Sequence, residues 1–141
     1  MKFRTFLTMA VACAFAAGVA QAETLMFAAK LVGSSEVPPN DTAGQGQVEA
    51  KLDTSTKTFS YNITFSGLTG PASAAHFHGP AAPGANAPPM VAMASPTSPI
   101  VGTATLTDKQ IADLEAGKWY FNVHTAAHPG GEIRGQVLPV K

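Results

Sequence analysis

Thr58-Phe59-Ser60-Tyr61-Asn62-Ile63-Thr64-Phe65-Ser66 alternates apolar and polar residues without a break. Successive side chains of a strand point to opposite faces, so Phe59, Tyr61, Ile63 and Phe65 share one face and the serines, Asn62 and Thr64 the other. A helix period cannot produce this pattern. A strand with one wet face and one dry face belongs to an antiparallel sheet packed on a core.

The remaining segments obey the same rule. Thr24 to Leu31 reads as a first strand, ended by Gly33-Ser34-Ser35, with Glu36 to Asp41 as a loop because two prolines cannot sit in a central strand. Gly44 to Leu52 alternates with Val48, Ala50 and Leu52 inward, and Asp53 to Thr56 is a turn. From Gly79 to Pro99, six prolines exclude a helix or central strand, so this stretch is expected to be a long loop with Met90-Val91-Ala92-Met93 in its middle. Ile100 to Leu106 returns to strand. Thr107 is the expected N-cap of a short helix, with Gln110 completing a capping box, Ile111 and Leu114 as the apolar stripe and Gly117 as the stop.

The chain closes on a hairpin. In Trp119 to His124, Trp119, Phe121 and Val123 point one way, and Tyr120, Asn122 and His124 the other. After the Pro129-Gly130-Gly131 turn, Ile133, Gly135 and Val137 share a face, and Glu132, Arg134 and Gln136 are expected on the opposite one. His128 sits at the tip. In Ala74 to Pro80, alternation turns Phe77 one way and both His76 and His78 the other. All four histidines therefore fall in two clusters, His76/His78 and His124/His128. Seven or eight short strands, Gly/Pro turns and one helix imply an all-β fold. The expected form is an antiparallel β-sandwich or barrel, immunoglobulin-like or Cu/Zn superoxide dismutase-like.

The first residues read as a leader. Lys2 and Arg4 precede an apolar run from Phe6 to Ala17, and Val19-Ala20-Gln21-Ala22 ends in a small-x-small site. Residues 1–22 are expected to be a secretory signal peptide, leaving 23–141 as a single domain, periplasmic or secreted. Cleavage removes the single cysteine, Cys13, so thiol catalysis and cysteine-ligated metal are excluded from the mature chain. It also leaves 7 basic and 9 acidic residues. That balance gives no basic footprint for nucleic acid, and no second apolar stretch could span a membrane.

Ala75-His76-Phe77-His78-Gly79-Pro80, Tyr120-Phe121-Asn122-Val123-His124-Thr125 and Pro129-Gly130-Gly131-Glu132-Ile133-Arg134-Gly135-Gln136 resemble the CHRD family, the chordin-type domain. The resemblance runs from about Leu25 to Val137. It implies an all-β extracytoplasmic domain and carries no catalytic mechanism onto these residues.

The histidines carry the functional question. His76 and His78 side by side, with His124 from a neighbouring strand, are expected to form a metal site, and His128 becomes a fourth ligand if the turn folds back. Glu132 is the expected orienting partner of a ligand imidazole. Neutral imidazoles and the Irving–Williams order favour copper over zinc. Met90 and Met93 add thioethers that would suit Cu(I), or simply cover apolar surface. The expected function is a non-enzymatic binding domain. One alternative is an interaction or adhesion domain without metal, its protein partner unspecified. The other is a superoxide dismutase-like copper enzyme: His-x-His resembles that family's copper motif, but four histidines cannot also supply a separate zinc cluster.

Overall fold

The structure is a computed structural model and describes residues 21–141. The expected signal segment lies almost wholly outside the described residues. The described residues fold into eight strands: β1 (Thr24–Val32), β2 (Gln45–Asp53), β3 (Thr58–Ser66), β4 (Ala72–His78), β5 (Pro89–Ala92), β6 (Ile100–Thr105), β7 (Trp119–Thr125) and β8 (Ile133–Pro139). Among them one α-helix, α1 (Asp108–Glu115), connects β6 to β7. All pairings are antiparallel, in the order β5-β4-β7-β8-β1-β2-β3-β6.

The sheet curls until its two halves face each other, nearly closing a barrel. Phe59 of β3 meets Phe77 of β4 and Trp119 of β7 edge-on, with ring centroids 5.3 and 5.7 Å apart. These strands are far apart in sheet order, so only curling brings them together. Val48, Leu52, Ile63, Leu114, Val123, Ile133 and Val137 complete the fully buried interior. The inward set read from alternation is buried in β2 and, apart from the half-buried Phe65, in β3; in β7 Trp119, Phe121 and Val123 are buried, but so are Tyr120 and Asn122 on the opposite face.

One expectation is corrected in the proline-rich stretch. Pro89 to Ala92 is not loop but the edge strand β5, paired with β4 through His76↔Ala92 and His78↔Pro89. Proline is tolerated there because an edge strand has one unpaired side. Met90 and Met93 pack against the hydrophobic core, as the covering role requires.

The helix forms as its ends dictate. The Thr107 hydroxyl accepts from the Gln110 backbone N–H at 3.2 Å, and the Gln110 side chain accepts from the Thr107 N–H at 2.9 Å. Gly117, at φ 70°, ends the helix, and the Lys118 N–H reaches back to the Asp113 carbonyl at 2.9 Å. Thr107→Ala is expected to cost about 1 kcal/mol and lower the melting temperature by roughly 4 °C. A calorimetric scan showing no shift would mean the cap contributes nothing.

Candidate metal centre

Three histidines converge on the outer face of the β4–β7–β8 part of the sheet, not in its interior. β4 and β7 are hydrogen-bonded neighbours, with His76 opposite Asn122, His78 opposite Tyr120 and Ala74 opposite His124. His124 is thus the diagonal neighbour of His76, within reach of a long side chain. His76 Nδ1 and His124 Nε2 lie 3.3 Å apart. One ring nitrogen from each of His76, His78 and His124 falls within 4.8 Å of the other two. Among the described residues this is the group of histidine, cysteine and acidic side chains with the spacing of a metal site.

Backbone carbonyls orient two of the rings. His124 Nδ1 faces the Pro129 carbonyl at 2.9 Å, and His78 Nδ1 faces the Ala87 carbonyl at 2.9 Å. The Pro129 carbonyl requires an N–H, so the His124 ring keeps its proton on Nδ1 and leaves a lone pair on Nε2. This is the arrangement that presets an imidazole as a ligand. His78 Nε2 faces Asn122 Oδ1 at 2.9 Å, so both nitrogens of this ring face oxygen acceptors, and the neutral ring donates to one of them.

The site is graded in exposure. His78 is 7% exposed and Asn122 3%, while His76 and His124 are half-buried. Burial, followed by the charges of His124 and His78, holds the His76 imidazole below its ordinary value. Burial also lowers His78, against the pull of its bonds to Ala87 and Asn122; the charges of His124 and Arg134 lower it further. Both shifts favour the neutral, metal-binding form.

Two loops roof this face, residues 33–44 and 79–88. The Tyr120 ring lies parallel to the His78 ring, at 3° and 4.7 Å between centroids. Arg134 stacks on Tyr120, its Cζ 3.5 Å from the ring centroid. Glu36, from the first loop, is 3% exposed, and its Oε1 has no hydrogen-bond partner. Burial raises its carboxyl above the usual range, although the Val37 N–H, Asn122, Arg134 and His124 pull the other way. Glu36 also explains Gly131. A Cβ at 131 would lie 2.1 Å from Glu36 Oε1, and the backbone there has φ 131°.

The structure does not bring the other two sequence candidates into this group. His128 remains in the turn, where its backbone N–H and carbonyl bond with Thr125 and Gly131. The turn does not fold back, and His128 is not among the three converging rings. Glu132 does not share the face of Arg134. Its N–H donates to the Val123 carbonyl at 2.7 Å, while Ile133 is the register partner of Val123. Alternation therefore fails at the start of β8, and both Glu132 and Ile133 approach Gly44. The Glu132 carboxylate turns to the end of the barrel instead. There it accepts from Thr42 Oγ1 at 2.6 Å, the Thr69 N–H at 2.8 Å, Thr69 Oγ1 at 2.7 Å and Thr125 Oγ1 at 2.5 Å. The orienting task falls to the carbonyls of Pro129 and Ala87. Sequence reading has no signal for a main-chain partner. Asn122 was placed on the right face, but nothing marked it as a contact of His78.

Among the described residues no helix is long and apolar enough to cross a membrane. Residues 27–137 match the model of the CHRD domain family. No curated protein and no solved structure matches the chain.

Proposed function

The chain belongs to the CHRD domain family, a family of non-enzymatic, extracellular-type domains, and from that footing we propose that it is an exported binding domain holding one metal ion, copper in preference to zinc, on His76, His78 and His124. The observation that carries the reading is the convergence of three imidazole nitrogens within 4.8 Å. The carbonyl anchor that leaves an Nε2 lone pair on His124, and the fixed placement of the His78 ring, support it. A site of neutral imidazoles suits Cu(II) and Zn(II), and the general affinity order places copper first. Burial favours the neutral form of His76 and His78, and the three rings are largely in place, so little reorganisation opposes binding. Export rests on the leader read in residues 1–22, and periplasmic or secreted placement follows from it.

Calorimetric titration of the leader-free protein with Cu(II) and Zn(II) tests the metal reading. One equivalent should bind, copper more tightly. His76→Ala/His78→Ala should bind at least about 100-fold more weakly, since removing a ligand costs more than removing its orienting partner. Equal heats from both proteins would remove the site.

A further inference from the structure

We propose that Arg134 is a positioning residue for His78, fixing the ring from two sides without touching it; the purpose assigned to it rests on the metal reading above. Arg134 is 2% exposed, and among the described residues no carboxylate lies within ion-pair distance of it. A buried guanidinium needs hydrogen-bond acceptors. It finds them in the roofing loop: Nη1 donates to Asn86 Oδ1 at 2.8 Å and Nη2 to the Ala85 carbonyl.

The next residue of that loop is Ala87. Its carbonyl meets His78 Nδ1 at 2.9 Å and accepts from the Tyr120 hydroxyl at 3.2 Å, and its N–H donates to the same hydroxyl. Residues 85 and 86 are thus held by Arg134, and residue 87 holds His78. The second route is the stack. β7 lies between β8 and β4, so guanidinium, phenol and imidazole follow one another from Arg134 through Tyr120 to His78. The loop sets the position of the ring's Nδ1 edge, and the stack sets the plane of the ring. A planar guanidinium does both; a lysine ammonium would do neither as well.

His124 provides an internal control. Its anchor is the Pro129 carbonyl, from a different turn, and Arg134 has no bond to that turn. Loss of Arg134 should therefore release His78 alone. General loosening of the fold would release both rings.

The test uses nitrogen-15 NMR of the histidine rings in the leader-free protein without metal, followed by copper titration. The variants are Arg134→Met, which keeps the stem, and Asn86→Ala, an exposed change that cuts the loop bond and spares the buried guanidinium. In the wild type His124 should be an Nδ1–H tautomer and His78 should hold a single, fixed tautomer. In Arg134→Met, His78 should lose that fixed tautomer while His124 keeps it, and copper should bind about tenfold more weakly. Asn86→Ala should show the same selective change with about a threefold loss. An unchanged His78 tautomer in both variants would overturn the proposal, as would joint loss at His78 and His124. Selective loss at His78 in a wild-type background that binds no copper would sustain the positioning and remove the metal reading.

Discussion

Glu132→Ala should unfold this domain more readily than any surface substitution, by about 4 kcal/mol, or roughly 15 °C in melting temperature. The carboxylate is fully buried and accepts four hydrogen bonds from three segments: Thr42 in the loop after β1, Thr69 in the loop after β3 and Thr125 at the end of β7. All four partners donate, so only an ionised carboxylate satisfies them together. Alanine would leave the Thr69 N–H and three hydroxyls facing a void. Glutamine fills the space but turns an NH2 toward donors, and about half the loss is expected. The same geometry fixes the response to acid. Burial alone would raise the Glu132 carboxyl. The bonds from Thr125, Thr42 and Thr69 outweigh it and bring it down from 4.5 to about 2. A carboxyl held low in the folded state stabilises fully above its unfolded value, and the contribution disappears as pH falls from there through the folded value. Urea unfolding at pH 6, 4 and 2.5 should show the gap between wild type and Glu132→Gln closing as acid is added. A gap of the same size at all three would mean the carboxylate is not what ties the segments together.

The same residue shows where sequence reading stops. Alternation placed the inward residues of β2, β3 and β7 and the three histidines correctly, because one side chain per face per residue is a rule of the extended backbone. It failed at Glu132, where the chain leaves a glycine turn and two consecutive residues approach the same neighbour. A turn resets the phase of a strand, and no residue letter records by how much. β5 was hidden for a related reason. Pro88, Pro89, Pro96 and Pro99 exclude a central strand, which leaves an edge strand and a loop looking alike. The capping box of α1 was legible because its partners are three residues apart. The carbonyls of Pro129 and Ala87 and the buried carboxyl of Glu36 were not, because their importance comes from chain segments that meet only after folding.

The second large expected effect follows from the proposed site: copper affinity should collapse in acid, later than free imidazoles would allow. His76 and His78 both sit below the ordinary 6.5, burial being the larger cause in each. At pH 6 an unperturbed imidazole is mostly protonated and cannot bind metal. These two rings should carry less charge there than free imidazoles, so copper displaces fewer protons from them. As pH falls through their folded values, each ring that protonates removes one ligand. Affinity should then drop by about 100-fold per pH unit once both are titrating. The linkage to folding has the same sign. Below 6.5 the unfolded chain takes up protons that the folded chain refuses at these two positions, so stability also declines with acid. Copper at 100 times its dissociation constant should add about 2.7 kcal/mol at pH 7, and that increment should vanish in the same interval. Ring-carbon NMR shifts of His76 and His78 against pH, alongside melting curves with and without copper, measure both. Inflections of the two rings at 6.5 or above would show that the outer face of the sheet is wet and permissive. It would not then be the preset, proton-excluding centre on which copper capture depends.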